Sequence, residues 1–192
     1  MSEPQQTEPC NIAAALPRLA RERPDQAAMR CPGKGGRYDV ALTYGQLDAR
    51  SDAIAAGLGK RGIVRGTRTV VMVRPTPEFF LLMFALFKAG AVPVLVDPGI
   101  DKRALRQCLD EAQPEAFIGI PLAMLAKVLL GWARSARLRI STGRWALLAD
   151  ATLAQVEAEA GKSETSSAGG TEEVVSTAEA ADPAAADAAP AS

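Results

Sequence analysis

The stretch Thr69-Val70-Val71-Met72-Val73, followed by Thr76-Pro77-Glu78 and then by Val92-Pro93-Val94-Leu95-Val96, carries the clearest structural signal in the chain. An unbroken run of large apolar residues, mostly β-branched, is what a strand covered on both faces needs. Thr76 supplies an N-cap, Pro77 a pre-set first helical residue and Glu78 an acid that complements the helix dipole. Residues 79–88 then read as a helix apolar almost all round, stopped by Gly90, and residues 92–96 as a second buried strand. Strand, helix and strand in that rhythm imply a right-handed crossover and parallel pairing.

The rhythm continues toward the C-terminus. Asp97-Pro98-Gly99 turns the chain, and Asp101 caps a helix that carries Leu105, Cys108, Leu109 and Ala112, with Lys102, Arg103 and Arg106 outside. Residues 116–120 form a third strand. Pro121 opens a helix bearing Leu122, Leu125, Val128 and Leu129, and residues 137–140 form a fourth strand. Beyond Trp145 the pattern weakens; Leu147, Leu148, Leu153 and Val156 fit a strand piece and a short helix. Toward the N-terminus, Thr43 and Gln46 stand at the spacing of a capping box. The helix they open buries Leu47, Ile54 and Leu58, with Ser51 and Ala55 at close contacts, and Gly62 ends it. Before it, residues 27–31 and 40–43 form a hairpin about Pro32-Gly33-Lys34-Gly35-Gly36. Asn11 caps a first helix through Glu22, in which Pro17 marks either a kink or a later start. The fold class is α/β, a doubly wound, mostly parallel sheet with flanking helices.

The 192 residues hold 22 Lys and Arg against 22 Asp and Glu, and no His. That neutrality is a sum of opposites. Residues 161–192 carry one Lys and six acids, so residues 1–160 are net +5. With ten Ala, no aromatic and only Val174 and Val175 as sizeable aliphatics, residues 161–192 cannot bury enough apolar surface to offset their ordering entropy. They are expected to be a disordered acidic tail, and residues 1–10 a disordered start, around a folding unit at 11–156.

The missing His excludes Ser-His-Asp and Cys-His nucleophile pairs and His-ligated zinc. Cys10, Cys31 and Cys108 are odd in number and lack CxxC spacing, which argues against a disulfide framework or a Cys-only zinc site. Cys108, at an apolar helical position, is expected in the core. The chain is expected in the cytoplasm: residues 1–9 are polar and acidic, unlike a signal peptide. The apolar run at 79–96 is broken by Lys88, Gly90 and Pro93 and falls short of a membrane span.

Candidate chemistry is thin. Gly161-Lys162-Ser163 resembles the end of a phosphate-binding loop, but Val156 stands where GxxxxGK[ST] needs glycine. Pro32-Gly33-Lys34-Gly35-Gly36 offers backbone N–H groups to an anion, yet reads better as a hairpin tip. Arg134, Arg137, Arg139 and Arg144 form a loose basic cluster, better explained as a solvated face or a meeting surface than as a nucleic-acid site. Asp97 lies just past a buried strand, where doubly wound sheets place ligands, although Asp before Pro-Gly is a common turn residue. The helix at 79–87 suits core packing better than the wall of an acyl tunnel. No catalytic, cofactor-binding or metal-ligating residue is assigned from these patterns.

Three segments bear a family resemblance. Leu42-Thr43-Tyr44-Gly45-Gln46-Leu47 resembles the LTYxEL opening of the AMP-forming acyl-CoA synthetase and adenylation superfamily. The run from Phe84 through Lys88-Ala89-Gly90 to Val96-Asp97-Pro98 resembles its KAGxxxVPxDP segment, and Asn11-Ile12-Ala13-Ala14 with Arg23-Pro24-Asp25 its first helix and RPD. Asp97-Pro98-Gly99-Ile100-Asp101 and residues 110–119 look most like fatty-acid-type ligases, among them the olefin β-lactone synthetases. The resemblance covers residues 11–156. It implies the N-terminal lobe of an enzyme that uses ATP and Mg²⁺ to activate a fatty acid or β-hydroxy acid as an acyl-adenylate. CoA then captures the adenylate as a thioester, or the substrate's own β-hydroxyl closes a β-lactone. It implies no nucleic-acid partner. The departure is that the family's phosphate loop, TSGTTGxPKG, has no counterpart here, and Ser141-Thr142-Gly143-Arg144 does not replace it. No family site residue can therefore be placed on this sequence, and the lobe is expected to be incomplete and inactive alone. Two other readings stay open: a non-catalytic module that self-associates through an uncovered sheet edge, and a small ligand-binding α/β domain. Because Phe79, Phe80, Leu82 and Phe84 cannot all face one side, exposed apolar surface is expected on that helix.

Overall fold

A computed structural model describes residues 11–32, 37–96 and 101–161. The expected start at 1–10, the tip at 33–36, the Asp97 turn and the tail from Lys162 onward lie outside the described residues.

Asn11 Oδ1 accepts from the Ala13 N–H and opens a 3-10 turn, Ile12–Ala15, that runs into α1, Leu16–Glu22. Pro17 sits in the first turn of α1, so it marks the later start. β1 (Ala27–Pro32) and β2 (Tyr38–Thr43) pair antiparallel as a two-stranded sheet. Thr43 Oγ1 then accepts from the Gln46 N–H while Gln46 Oε1 accepts from the Thr43 N–H, which closes the capping box that starts α2, Tyr44–Lys60. Gly62, at φ +90°, takes the chain away from that helix.

The expected alternation follows: β3 (Arg68–Met72), α3 (Pro77–Lys88), β4 (Val92–Leu95), α4 (Lys102–Ala112), β5 (Ala116–Gly119), α5 (Pro121–Leu130) and β6 (Leu138–Ser141). A two-residue strand, β7 (Ala151–Thr152), leads directly into α6 (Leu153–Gly161). Thr152 and Gln155 form a second capping box there. The main sheet has five strands in the order β4-β3-β5-β6-β7, all parallel. The chain thus goes to one side of β3, returns, and continues on the other side. The strand piece expected around Leu147 falls at β7 instead; Leu147 is exposed and Leu148 has φ +60°.

The pleat divides the core. Val71, Ile118 and Ile140 face a cluster formed with α1, α2, α3 and α6, whereas Val70 and Phe117 face a second cluster under α4 and α5. On the first face, Leu82 is fully buried, Phe79 and Phe84 are half-buried against the cluster, and Phe80 is left at the surface. Gly57 of α2 forms a notch for α6; a Cβ there would run into the Val156 carbonyl. Arg50 pairs with Glu157 at 2.7 Å and Arg61 with Glu159, which rivets the two helices together.

The second face departs from expectation twice. In α4, Leu105 and Leu109 are buried and Cys108 is exposed, so Cys108 is not a core residue. In α5, Ala123 and Met124 are buried while Leu122, Leu125, Val128 and Leu129 are exposed. Close approach explains the rotation. A Cβ on Gly119 would sit 3.1 Å from Ala123 Cβ, so α5 comes down on the sheet through its small residues and turns its leucines outward. No helix among the described residues is long and apolar enough to cross a membrane.

Candidate functional site

In an open parallel sheet, ligands collect beyond the carboxyl ends of the strands where the winding reverses. Here that point lies between β3 and β5. The backbone extends the gap upward: the Ile120 N–H donates to the Met72 carbonyl at 3.0 Å, and the Thr142 N–H to the Gly119 carbonyl at 2.9 Å. Above it sits a cavity of about 540 Å³ whose walls include Met72, Val73, Val96, Ile120, Ala126 and Trp132. Among the described residues, Arg74, just past β3, is the only charged one lining it. Beyond β6, Gly143 packs on Pro121 with no room for a Cβ. Ser141 is fully buried, its Oγ accepting from the Gly143 N–H at 3.1 Å.

Such a chamber can hold an apolar group and hold an anionic end at its rim by Arg74. The described lining residues are apolar apart from Arg74, which suits them to binding an apolar group. Among the described residues no group of three or more His, Cys, Asp or Glu could hold a metal ion.

Electrostatics elsewhere are structural. Arg139 binds Asp150 through 2.9 Å and 3.3 Å side-chain contacts, and Asp150 also accepts from the Arg139 N–H at 2.8 Å. The hydrogen bond from Arg139 holds the Asp150 carboxyl below the usual carboxylate range. Lys127, whose ammonium donates to the Ala133 carbonyl at 3.0 Å, is pushed below the usual lysine range by burial first and by Arg139 second.

The structure does not gather the sequence candidates into one site. Gly161 ends α6, while Lys162 and Ser163, like Asp97 and Gly33–Gly36, lie outside the described residues. Arg139 is consumed by Asp150; Arg134, Arg137 and Arg144 stay exposed. No residue of α3 lines the cavity, so that helix packs rather than forming a tunnel there. The cavity residues were missed because strand order, which locates the switch point, leaves no local mark in the sequence.

Comparison with known proteins gives the geometry its context. The AMP-binding enzyme family matches residues 16–189. The chain belongs to that family. Across 153 residues, 77% of its length, it is 71% identical to the olefin β-lactone synthetase of Xanthomonas campestris pv. campestris. Across 155 residues it is 69% identical to that of Stenotrophomonas maltophilia. The match spans 28% of each of these relatives. Among solved structures, a long-chain-fatty-acid CoA ligase from Rhodopseudomonas palustris superposes with a TM-score of 0.63 at 20% identity, over 77% of this chain and 36% of that one. A benzoate CoA ligase from Burkholderia xenovorans gives 0.60 at 19%, over 78% and 28%. These structural likenesses establish a shared fold.

This AMP-binding chain therefore corresponds to the N-terminal portion of an adenylate-forming enzyme close to olefin β-lactone synthetase. Enzymes of the family use ATP and Mg²⁺.

Proposed function

We propose that this AMP-binding lobe serves a ligase that activates a long-chain β-hydroxy acid as its acyl-adenylate and releases a β-lactone. The supporting observation is the 71% identity to the Xanthomonas olefin β-lactone synthetase, sustained over 153 residues. A fatty-acyl ligase that ends in a CoA thioester is the neighbouring outcome within the same family. In this reading residues 11–156 are the first lobe of the AMP-binding domain, and residues 161–192 an acidic extension. The lobe contributes a rigid sheet end and an apolar cavity, while phosphate handling and catalysis belong to segments not matched within these 192 residues. The chain alone is then inactive. Purified chain incubated with ATP, labelled pyrophosphate and a long-chain β-hydroxy acid is expected to show no exchange above a no-protein control; acid-dependent exchange defeats the reading.

A second reading, an interaction module that self-associates through an uncovered edge, has one observation in its favour. Among the described residues the outer side of β4 is unpaired, with Val92 and Leu95 exposed. Pro93 removes one N–H from that strand and so limits its use as a template. A defined dimer by light scattering, dispersed by charge at Leu95, supports this reading.

A further inference from the structure

The outward face of α5 has no partner within the described residues. Leu122, Leu125, Val128 and Leu129 are 43–72% exposed, and they recur at the spacing that keeps them on one side of a helix. Trp145, 78% exposed, comes two residues after Gly143, which abuts Pro121 at the start of that helix. A rim tryptophan next to a leucine face is the arrangement of a surface that meets an apolar boundary rather than water.

Charge says which boundary. Residues 116–149 contain no Asp or Glu and five basic residues. Two of these are engaged: Lys127 with the Ala133 carbonyl and Arg139 with Asp150. The other three are exposed and flank α5 at both ends. Arg134 packs against Gly131 at its C-terminus, Arg137 follows, and Arg144 stands beside Trp145 at its N-terminus. The acids that bound the stretch are occupied as well, Glu115 by the Arg68 N–H at 3.3 Å and Asp150 by Arg139. The surface is thus a leucine face between two basic ends.

A second copy of the chain fits this poorly, since a two-fold contact would set the basic ends against each other. An anionic lipid surface satisfies both features at once: acyl chains receive the leucines and Trp145, and phosphates receive the arginines. We infer that α5 with the Arg144-Trp145 loop is a membrane-interface docking face, lying in the headgroup layer of anionic bilayers without spanning them. The inference is independent of the adenylation reading and survives its failure.

The test is sedimentation of the full 192-residue chain with vesicles of phosphatidylcholine alone and of phosphatidylcholine mixed with phosphatidylglycerol. Binding to the anionic vesicles is expected to be about a hundredfold tighter, three arginines each being worth roughly a factor of five at such a surface, and to weaken with salt. Because Trp132 is buried, a blue shift of emission on binding reports Trp145, and Trp145→Phe should abolish the shift while leaving sedimentation largely in place. The double variant Leu125→Asp/Leu129→Asp, at exposed positions, should melt like the parent and lose binding. The triple variant Arg134→Gln/Arg137→Gln/Arg144→Gln should bind both vesicle types alike. Failure of the parent to bind, equal binding of parent to both vesicle types, or undiminished binding of the folded Asp variant overturns the inference. So does a parent dimer that the Asp variant disperses without any vesicle binding, which would assign the face to a second copy.

Discussion

The two faces of the parallel sheet are finished differently. On the α2, α3 and α6 side, leucines and isoleucines fill the interior and the exterior is riveted by ions: Lys88 reaches Asp48 at 2.6 Å and Asp52 at 2.7 Å, and α6 is held to α2 by two Arg–Glu pairs. On the α4 and α5 side the interior gathers around Phe117, yet α5 turns a row of large aliphatics to the surface. Burial of apolar area stabilises by roughly 25 cal/mol per Å², so a helix that leaves its leucines exposed forgoes much of what its sequence could contribute. The difference separates residues that hold the fold from residues available for contact. The first face should carry the stability, and the second should tolerate change without loss of fold.

The largest test of that contrast pairs Leu82→Ala with Leu125→Ala. The first deletes a fully buried side chain and should cost about 2–5 kcal/mol, whereas the second should stay within about 0.5 kcal/mol. Chemical denaturation of both variants measures the gap, and similar losses would erase the distinction between faces. Next comes Gly57→Ala, which forces α6 off α2 because the added methyl meets the Val156 backbone; about 1–3 kcal/mol of destabilisation is expected, with earlier exchange of the α6 amides. Thr43→Ala removes one capping-box acceptor and should lower stability by about 1 kcal/mol, read from the same denaturation curves.

The smallest expected effect is Asp150→Asn, below about 1 kcal/mol for so exposed a pair. Its sign with pH is fixed. The carboxyl is held below its unfolded value, so its contribution is present above the ordinary carboxylate pKa of about 3.9 and is lost as pH falls through the lower folded value. The difference in stability between parent and variant should therefore close in acid. A difference that widened in acid would assign Asp150 another role.

Much of this architecture was legible because local signals agreed with the tertiary result. The mostly β-branched run at 69–73, which forms β3 at Arg68–Met72, the Thr76-Pro77 start and the Thr43-Gln46 box all act within a few residues and do so in the fold. The second box, Thr152 with Gln155, had the same signature and could have been read. The rotation of α5 could not. Its sequence, PLAMLAKVLL, is apolar on nearly every side, so periodicity leaves its facing open, and the close approach of Ala123 to Gly119 decides it. Cys108 was misplaced for a related reason, since Leu105 and Leu109 alone satisfy the narrow stripe α4 buries. The family could be named from short segments, but the cavity depended on strand order, which is a property of the assembled sheet.

One measurement bears most directly on the account of this chain as an N-terminal lobe that lacks chemistry of its own. Residues 1–160 should replace the corresponding segment of the Xanthomonas campestris olefin β-lactone synthetase, and the chimera and the isolated chain should be assayed side by side for pyrophosphate–ATP exchange driven by a long-chain β-hydroxy acid. The account predicts exchange by the chimera and none by the chain alone. Exchange by the isolated chain, or a folded chimera that remains silent, would contradict it.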